Sequence, residues 1–265
     1  MSATRPRVLI LKAAGVNCDV ETGAAFAQAG ALTAPVHINE LIAGGVRLSD
    51  FQILALSGGF TYGDDIAAGR VLANQIKNKL MEPVRAFIEK GGLIIGICNG
   101  FQVLVKAGIL PGNDRFDQEA TLADNDCGVF QDRWVYLRRP HVPAAAESPC
   151  VWTRGLPEVV SMPIAHGEGK FIPKGEDVLD RLKANGQIVF QYCDARGRLG
   201  DFPVNPNGSL DSIAGICDTT GRVLGLMPHP ERHVAGLQNP RWTREGLKPH
   251  GDGFLIFQNA VKYFS

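Results

Sequence analysis

Over roughly its first hundred positions the chain alternates short, unbroken apolar runs with stretches of helical spacing. Unbroken apolar runs of that length mark strands buried on both faces. They predict strands over Arg7–Lys12, Thr33–Ile38, Phe51–Leu56 and Leu93–Ile97. Between them the pattern predicts a helix over Cys18–Ala29, with Asn17 or Asp19 as its cap, and another over Gly100–Ala107. A long helical stretch over Asp64–Glu89 restarts at Pro83, a residue suited to a first helical turn. Strands joined by helical crossovers imply a parallel sheet with helices on both faces, and such sheets carry their sites at the carboxyl ends of strands.

Past Leu110 the period changes. A polar, turn-rich stretch leads into short alternating segments over Trp134–Arg138, Val159–Ala165, Gln187–Asp194 and Ser212–Asp218. These read as antiparallel strands extending or flanking the parallel core. Val223–Met227 is apolar again and stops at Pro228, and Gly253–Phe264 has the pattern of a closing amphipathic helix. The expectation is an α/β fold, a mostly parallel sheet flanked by helices with added antiparallel strands. No repeat or linker interrupts it, so residues 1–265 read as one domain.

Composition narrows the function classes. Lys+Arg and Asp+Glu both number 27, so there is no electrostatic footprint for nucleic acid. No run of about 18 apolar residues is present to span a bilayer, and the short polar start lacks the pattern of a secretion leader. Six cysteines, at 18, 98, 127, 150, 193 and 217, stand without metal-ligand spacing. They read as reduced thiols in a cytoplasm.

One cysteine has a particular setting. Leu93–Ile97 runs into Gly96-Ile97-Cys98-Asn99-Gly100 and then a helix, the arrangement of a nucleophile elbow with sulfur in place of oxygen. A lone cysteine is most often a core thiol. Here the glycines remove Cβ atoms that would clash at a sharp turn, and the helix N-terminus favours negative charge on the sulfur. The candidate base is His229, just past an apolar strand and between Pro228 and Pro230, with Glu231 placed to bond the far imidazole nitrogen. His233 is the competing base, without a carboxylate two residues on. A second glycine cluster, Ser57-Gly58-Gly59-Phe60, also follows a strand, so the N–H groups of Gly59 and Asn99 are candidates for an oxyanion hole.

These residues resemble the class I glutamine amidotransferases, whose pattern Gly-x-Cys-x-Gly-x-Gln followed much later by His-x-Glu is matched by Cys98, Gln102, His229 and Glu231. Within that class the chain is similar to the glutaminase subunits of phosphoribosylformylglycinamidine synthase. The matching stretches are Gly15–Asp19, Gly58–Asp64, Gly96–Gln102, His166–Phe171, Asn205–Ser209 and Met227–Arg232, spread over nearly the whole chain. The resemblance implies a flavodoxin-like core and hydrolysis of glutamine to glutamate and ammonia, with Gln102 and His166 near bound glutamine. It implies delivery of the ammonia to a synthetase subunit of purine biosynthesis. It places no cofactor in this chain, with ATP and Mg on that partner, and in some systems a small third subunit. Thr61 stands where serine is common, and the chain is extended over Arg138–Cys150 and Gln238–Asp252. The alternatives are another cysteine hydrolase of the same architecture, which often has a histidine where this chain has Asn99, and a non-catalytic glutamine sensor.

Overall fold

The computed structural model describes residues 5–140 and 148–265. Its elements in chain order are β1 (Arg7–Lys12), α1 (Asp19–Gln28), β2 (Leu32–His37), α2 (Ile38–Ile42), β3 (Ile53–Leu56), α3 (Arg70–Gln75), α4 (Met81–Glu89), β4 (Leu93–Ile97) and α5 (Asn99–Lys106). There follow β5 (Ala120–Ala123), β6 (Gln131–Arg138), β7 (Val159–His166), β8 (Lys170–Pro173), α6 (Glu176–Ala184), β9 (Ile188–Cys193), β10 (Ile213–Cys217), β11 (Val223–Leu226), α7 (Trp242–Glu245) and α8 (Phe254–Lys262).

Nine strands form one sheet in the order β2-β1-β3-β4-β11-β10-β9-β6-β7. The five from β2 to β11 pair parallel and the remainder antiparallel. The unbroken apolar runs account for the parallel half, where β3, β4 and β11 are buried throughout. Helices cover both faces. On one, α1 and α8 meet edge to face through Phe26 and Phe257, ring centroids 4.9 Å apart. On the other, α5 carries Phe101, whose ring lies where a Cβ on Gly225 of β11 would be.

The antiparallel half curls. In a flat sheet β7 would lie five strand spacings from β4, about 24 Å away. Instead Cys98 Sγ at the end of β4 is 3.6 Å from Ala165 O of β7, and His229 N–H donates to Pro163 O at 2.8 Å. The far edge of the sheet therefore folds back over the carboxyl ends of its central strands.

The predicted helix over Asp64–Glu89 starts later, at Arg70. Gly63, Asp64 and Gly69 all have positive φ, which makes 63–69 a loop. A π-turn over Ile76–Leu80 follows α3, and regular helix resumes at Met81 with Pro83 in its first turn. The short α2, the two-stranded β5–β8 ribbon and α6 were not predicted. The extension over 138–150 lies largely outside the described residues. That over Gln238–Asp252 packs beside β7, where Asp252 accepts from Ser161 N–H at 2.9 Å. Among the described residues no helix is long and apolar enough to cross a membrane.

Candidate active site

The buried strand β4 ends at Cys98, whose φ of 51° and ψ of −106° lie outside the ordinary regions for a non-glycine residue. Such a conformation stores about 1–3 kcal/mol and persists only where its surroundings impose it. They do so here. Cys98 N–H donates to Leu226 O at 2.8 Å, and both flanking glycines are sterically required. A Cβ on Gly100 would lie 2.0 Å from Leu56 O, and one on Gly96 would lie 2.6 Å from Gly100 O. The turn aims Cys98 into the space between β4 and the curled β7, with the first turn of α5 directly behind it.

His229 and Glu231 follow β11 and are almost fully buried, each about 1% exposed. Glu231 Oε1 sits 2.6 Å from His229 Nδ1, while His229 Nε2 has no hydrogen-bond partner. Burial alone would push the imidazole down. The Glu231 carboxylate and the neighbouring sulfurs of Cys98 and Cys18 outweigh it and hold His229 well above the usual histidine range. His233 points elsewhere, its Nδ1 2.6 Å from Ser161 O and its ring edge-on to Trp134.

The glycine turn after β3 is gripped by the loop after β1. Asn17 and Cys18 N–H both donate to Gly58 O, at 3.4 and 3.2 Å, and Phe60 N–H donates to Gly15 O at 2.9 Å. Gly15 has φ of 85°, and a Cβ there would lie 1.9 Å from Phe60 O, so the grip requires glycine. It leaves Gly59 N–H, like Asn99 N–H in the first turn of α5, without an acceptor among the described residues. The grip also brings Cys18 to the imidazole. The point a Gly58 Cβ would occupy is 2.8 Å from His229 Cε1, 3.2 Å from Cys18 Sγ and 3.4 Å from Cys98 Cβ. Sequence reasoning gave Cys18 no chemical role, because its place depends on this long-range pairing.

Comparison with known proteins fits this arrangement. The family model of the CobB/CobQ-like glutamine amidotransferase domain matches residues 5–264. Phosphoribosylformylglycinamidine synthase subunit PurQ of Dehalococcoides mccartyi is 51% identical over 261 residues, covering 98% of both chains. The chain belongs to the PurQ family of glutamine amidotransferases. The PurQ subunit of Methanococcus maripaludis is 44% identical over 274 residues, again with 98% of both chains covered. Among solved structures, a chain of PurLQS from Thermotoga maritima superposes with a TM-score of 0.74 at 29% identity, covering 99% of this chain and 100% of that one. A separate glutamine amidotransferase of Thermotoga maritima shares the fold alone, with a TM-score of 0.52 at 15% identity, covering 98% of this chain and 91% of that one.

Around the elbow, this PurQ-family chain builds a polar network. Asn99 Nδ2 donates to Asp64 Oδ1 at 3.1 Å and to Gln102 Oε1 at 3.0 Å, and its Oδ1 accepts from Thr61 Oγ1 at 2.7 Å. Gln102 Nε2 donates to Glu168 O at 2.5 Å. Both polar ends of Gln102 are thus engaged by protein, and it braces the 166–169 turn. Glu168 accepts from Ala68 N–H and lies 3.6 Å from Lys106 Nζ. Burial pushes the Asp64 carboxyl up and the Lys106 ammonium down.

His166 is locked in one tautomer. Asn125 donates through Nδ2 to Val129 O and His166 O, at 3.0 and 2.8 Å, so its Oδ1 is the acceptor facing His166 Nδ1 at 3.0 Å. His166 Nδ1 therefore carries the proton, and Nε2 is a bare acceptor with no partner. Burial, then the charge on His229, pulls its pKa down to about 3, so it stays neutral at working pH.

Proposed function

We propose that this chain hydrolyses glutamine through Cys98 and passes the ammonia to a phosphoribosylformylglycinamidine synthase partner. The observation that carries the reading is His229, held by Glu231 on one nitrogen and free on the other beside the strained Cys98 elbow. The Cys98 thiolate attacks the side-chain carbonyl carbon of glutamine. The developing oxyanion takes the N–H groups of Gly59 and Asn99, whose loss would cost about 10²–10³ in rate per donor. The imidazolium of His229 gives its Nε2 proton to the departing nitrogen, and ammonia leaves a γ-glutamyl thioester. His229, now neutral, deprotonates a water that hydrolyses the thioester, and glutamate and the thiolate are released. His166 Nε2 offers an acceptor to an N–H of the bound substrate, and Gln102 holds the turn that carries it.

The same reading places the synthetase over the site mouth. Phe60 of the Gly59 turn and Phe130 are both exposed there with ring centroids 6.3 Å apart, apolar surface of the kind a partner covers. ATP and Mg bind the partner, a small third subunit completes some assemblies, and the compartment is the cytoplasm. The test is glutamate release from glutamine by the purified chain, alone and with its organism's synthetase subunit, beside Cys98→Ala. Release that rises with the partner and disappears in the variant is expected. Turnover that survives Cys98→Ala would overturn the nucleophile, and a folded but silent wild-type complex would favour a glutamine sensor.

A further inference from the structure

A second concave site shares no residue with the first. It lies against the sheet under α4 and encloses about 510 Å³, within the range of small-molecule sites. Its floor is Leu11 of β1 and Leu54 of β3, and Phe87 of α4 forms a wall, all three buried. The π-turn supplies a second wall, because its first and last residues, Ile76 and Leu80, both border the space. Such turns are rare and frequently accompany functional sites.

The polar residues of the lining are of one kind. They are Arg47, Ser49, Gln52 and Lys90, and among the described residues no carboxylate borders the space. Arg47, Ser49 and Lys90 are exposed, so the depth is apolar and the mouth polar. Gln52 Oε1 accepts from Arg7 N–H at 2.9 Å, which leaves its Nε2 as the end able to serve a ligand. Arg47 donates to Asp50 at 3.1 Å outside the lining, and its guanidinium carries further N–H groups.

We propose that this cavity binds a small amphipathic monoanion, a carboxylate on an apolar body, with the body against Leu11 and Leu54 and the head at Arg47 and Lys90. A cavity of ~150 Å³ holds one benzene, so the volume here suits a body on the order of a dozen carbons. A carboxylate offers acceptors to the donors at the mouth, whereas a cationic head would be repelled there and a neutral one would leave the two charges unmatched. The proposal does not depend on the function proposed above.

The test titrates dodecanoate, below its micelle-forming concentration, into the purified full chain in a calorimeter. Dodecyltrimethylammonium, with the same tail and the opposite charge, is the comparison. Wild type is expected to take up one dodecanoate per chain, with the negative heat-capacity change of apolar burial. The ammonium should bind about tenfold more weakly or worse. Ala86→Trp puts an indole on the α4 side of the cavity and should remove the binding of both. Arg47→Glu combined with Lys90→Glu alters only exposed side chains. It should weaken dodecanoate by about tenfold and strengthen the ammonium. No saturable uptake by wild type, equal affinity for the two head groups, or dodecanoate binding untouched by both variants would overturn the site. Should Ala86→Trp not fold, the charge-reversed variant decides alone: unchanged preference for the anion refutes the proposal, and a reversed preference upholds it.

Discussion

Glu231 decides what His229 can do. Its carboxylate fixes the proton on Nδ1, turns Nε2 toward the sulfur and, with the sulfurs, keeps the imidazole charged against its burial. Glu231→Gln preserves shape and removes the charge. The expected result is a fall in kcat of up to about 10⁴-fold, the size seen when a buried acid orienting a catalytic imidazole becomes an amide. The alkaline limb of the kcat/KM profile should move to lower pH, because His229 then loses its proton sooner. A profile unchanged in Glu231→Gln would show that the carboxylate has no part in tuning the base. The proposed nucleophile, base and orienting carboxylate are readable in sequence because each follows a strand within a few residues of glycines or prolines that restrict the backbone. Cys18 is not, since nothing near it in the chain announces that it will meet a histidine more than two hundred positions away.

Among the elements, the turn after β3 depends on its neighbour after β1. With Gly15 at φ of 85° and no room for a Cβ, Gly15→Ala must push Phe60 and the Gly59 peptide away. The expected cost is about 1–3 kcal/mol of stability. A loss of kcat larger than any change in KM should accompany it, as one oxyanion donor is misplaced. Urea midpoints and steady-state kinetics on the same preparation check both, and normal kcat in a folded variant would remove Gly59 from the oxyanion role. The parallel half was legible because β3, β4 and β11 are apolar throughout and bounded by turn residues. The β5–β8 ribbon and α6 were not. Their strands are four residues long and alternate buried with half-buried positions, and α6 buries only Val178 and Leu182. The helical stretch predicted from Asp64 begins only at Arg70, because Asp64 itself lies in a loop. Its carboxylate accepts from Gly69 N–H and Asn99, closing that loop.

For the whole molecule, the two histidines of the site bend stability in opposite directions. His166 falls from 6.5 to about 3 on folding. Between those values only the unfolded chain takes the proton, and stability is lost by up to about 1.4 kcal/mol per pH unit as acid is added. His229 is raised, so its contribution is complete below 6.5 and is lost as pH climbs through its folded value. Urea midpoints should therefore decline on both sides of neutrality, and His166→Gln should flatten the acid side; an unaltered acid slope would refute the assignment. The curl of the sheet carries one more implication. Cys98 after β4 reaches β7 across four intervening strands and His229 after β11 across three, contacts between residues far apart in the chain, of the sort that close late in folding and open early in partial unfolding. Amide exchange should find β7 opening while β1, β3 and β4 remain protected, so that heat or denaturant silences the enzyme while most of its core is still intact.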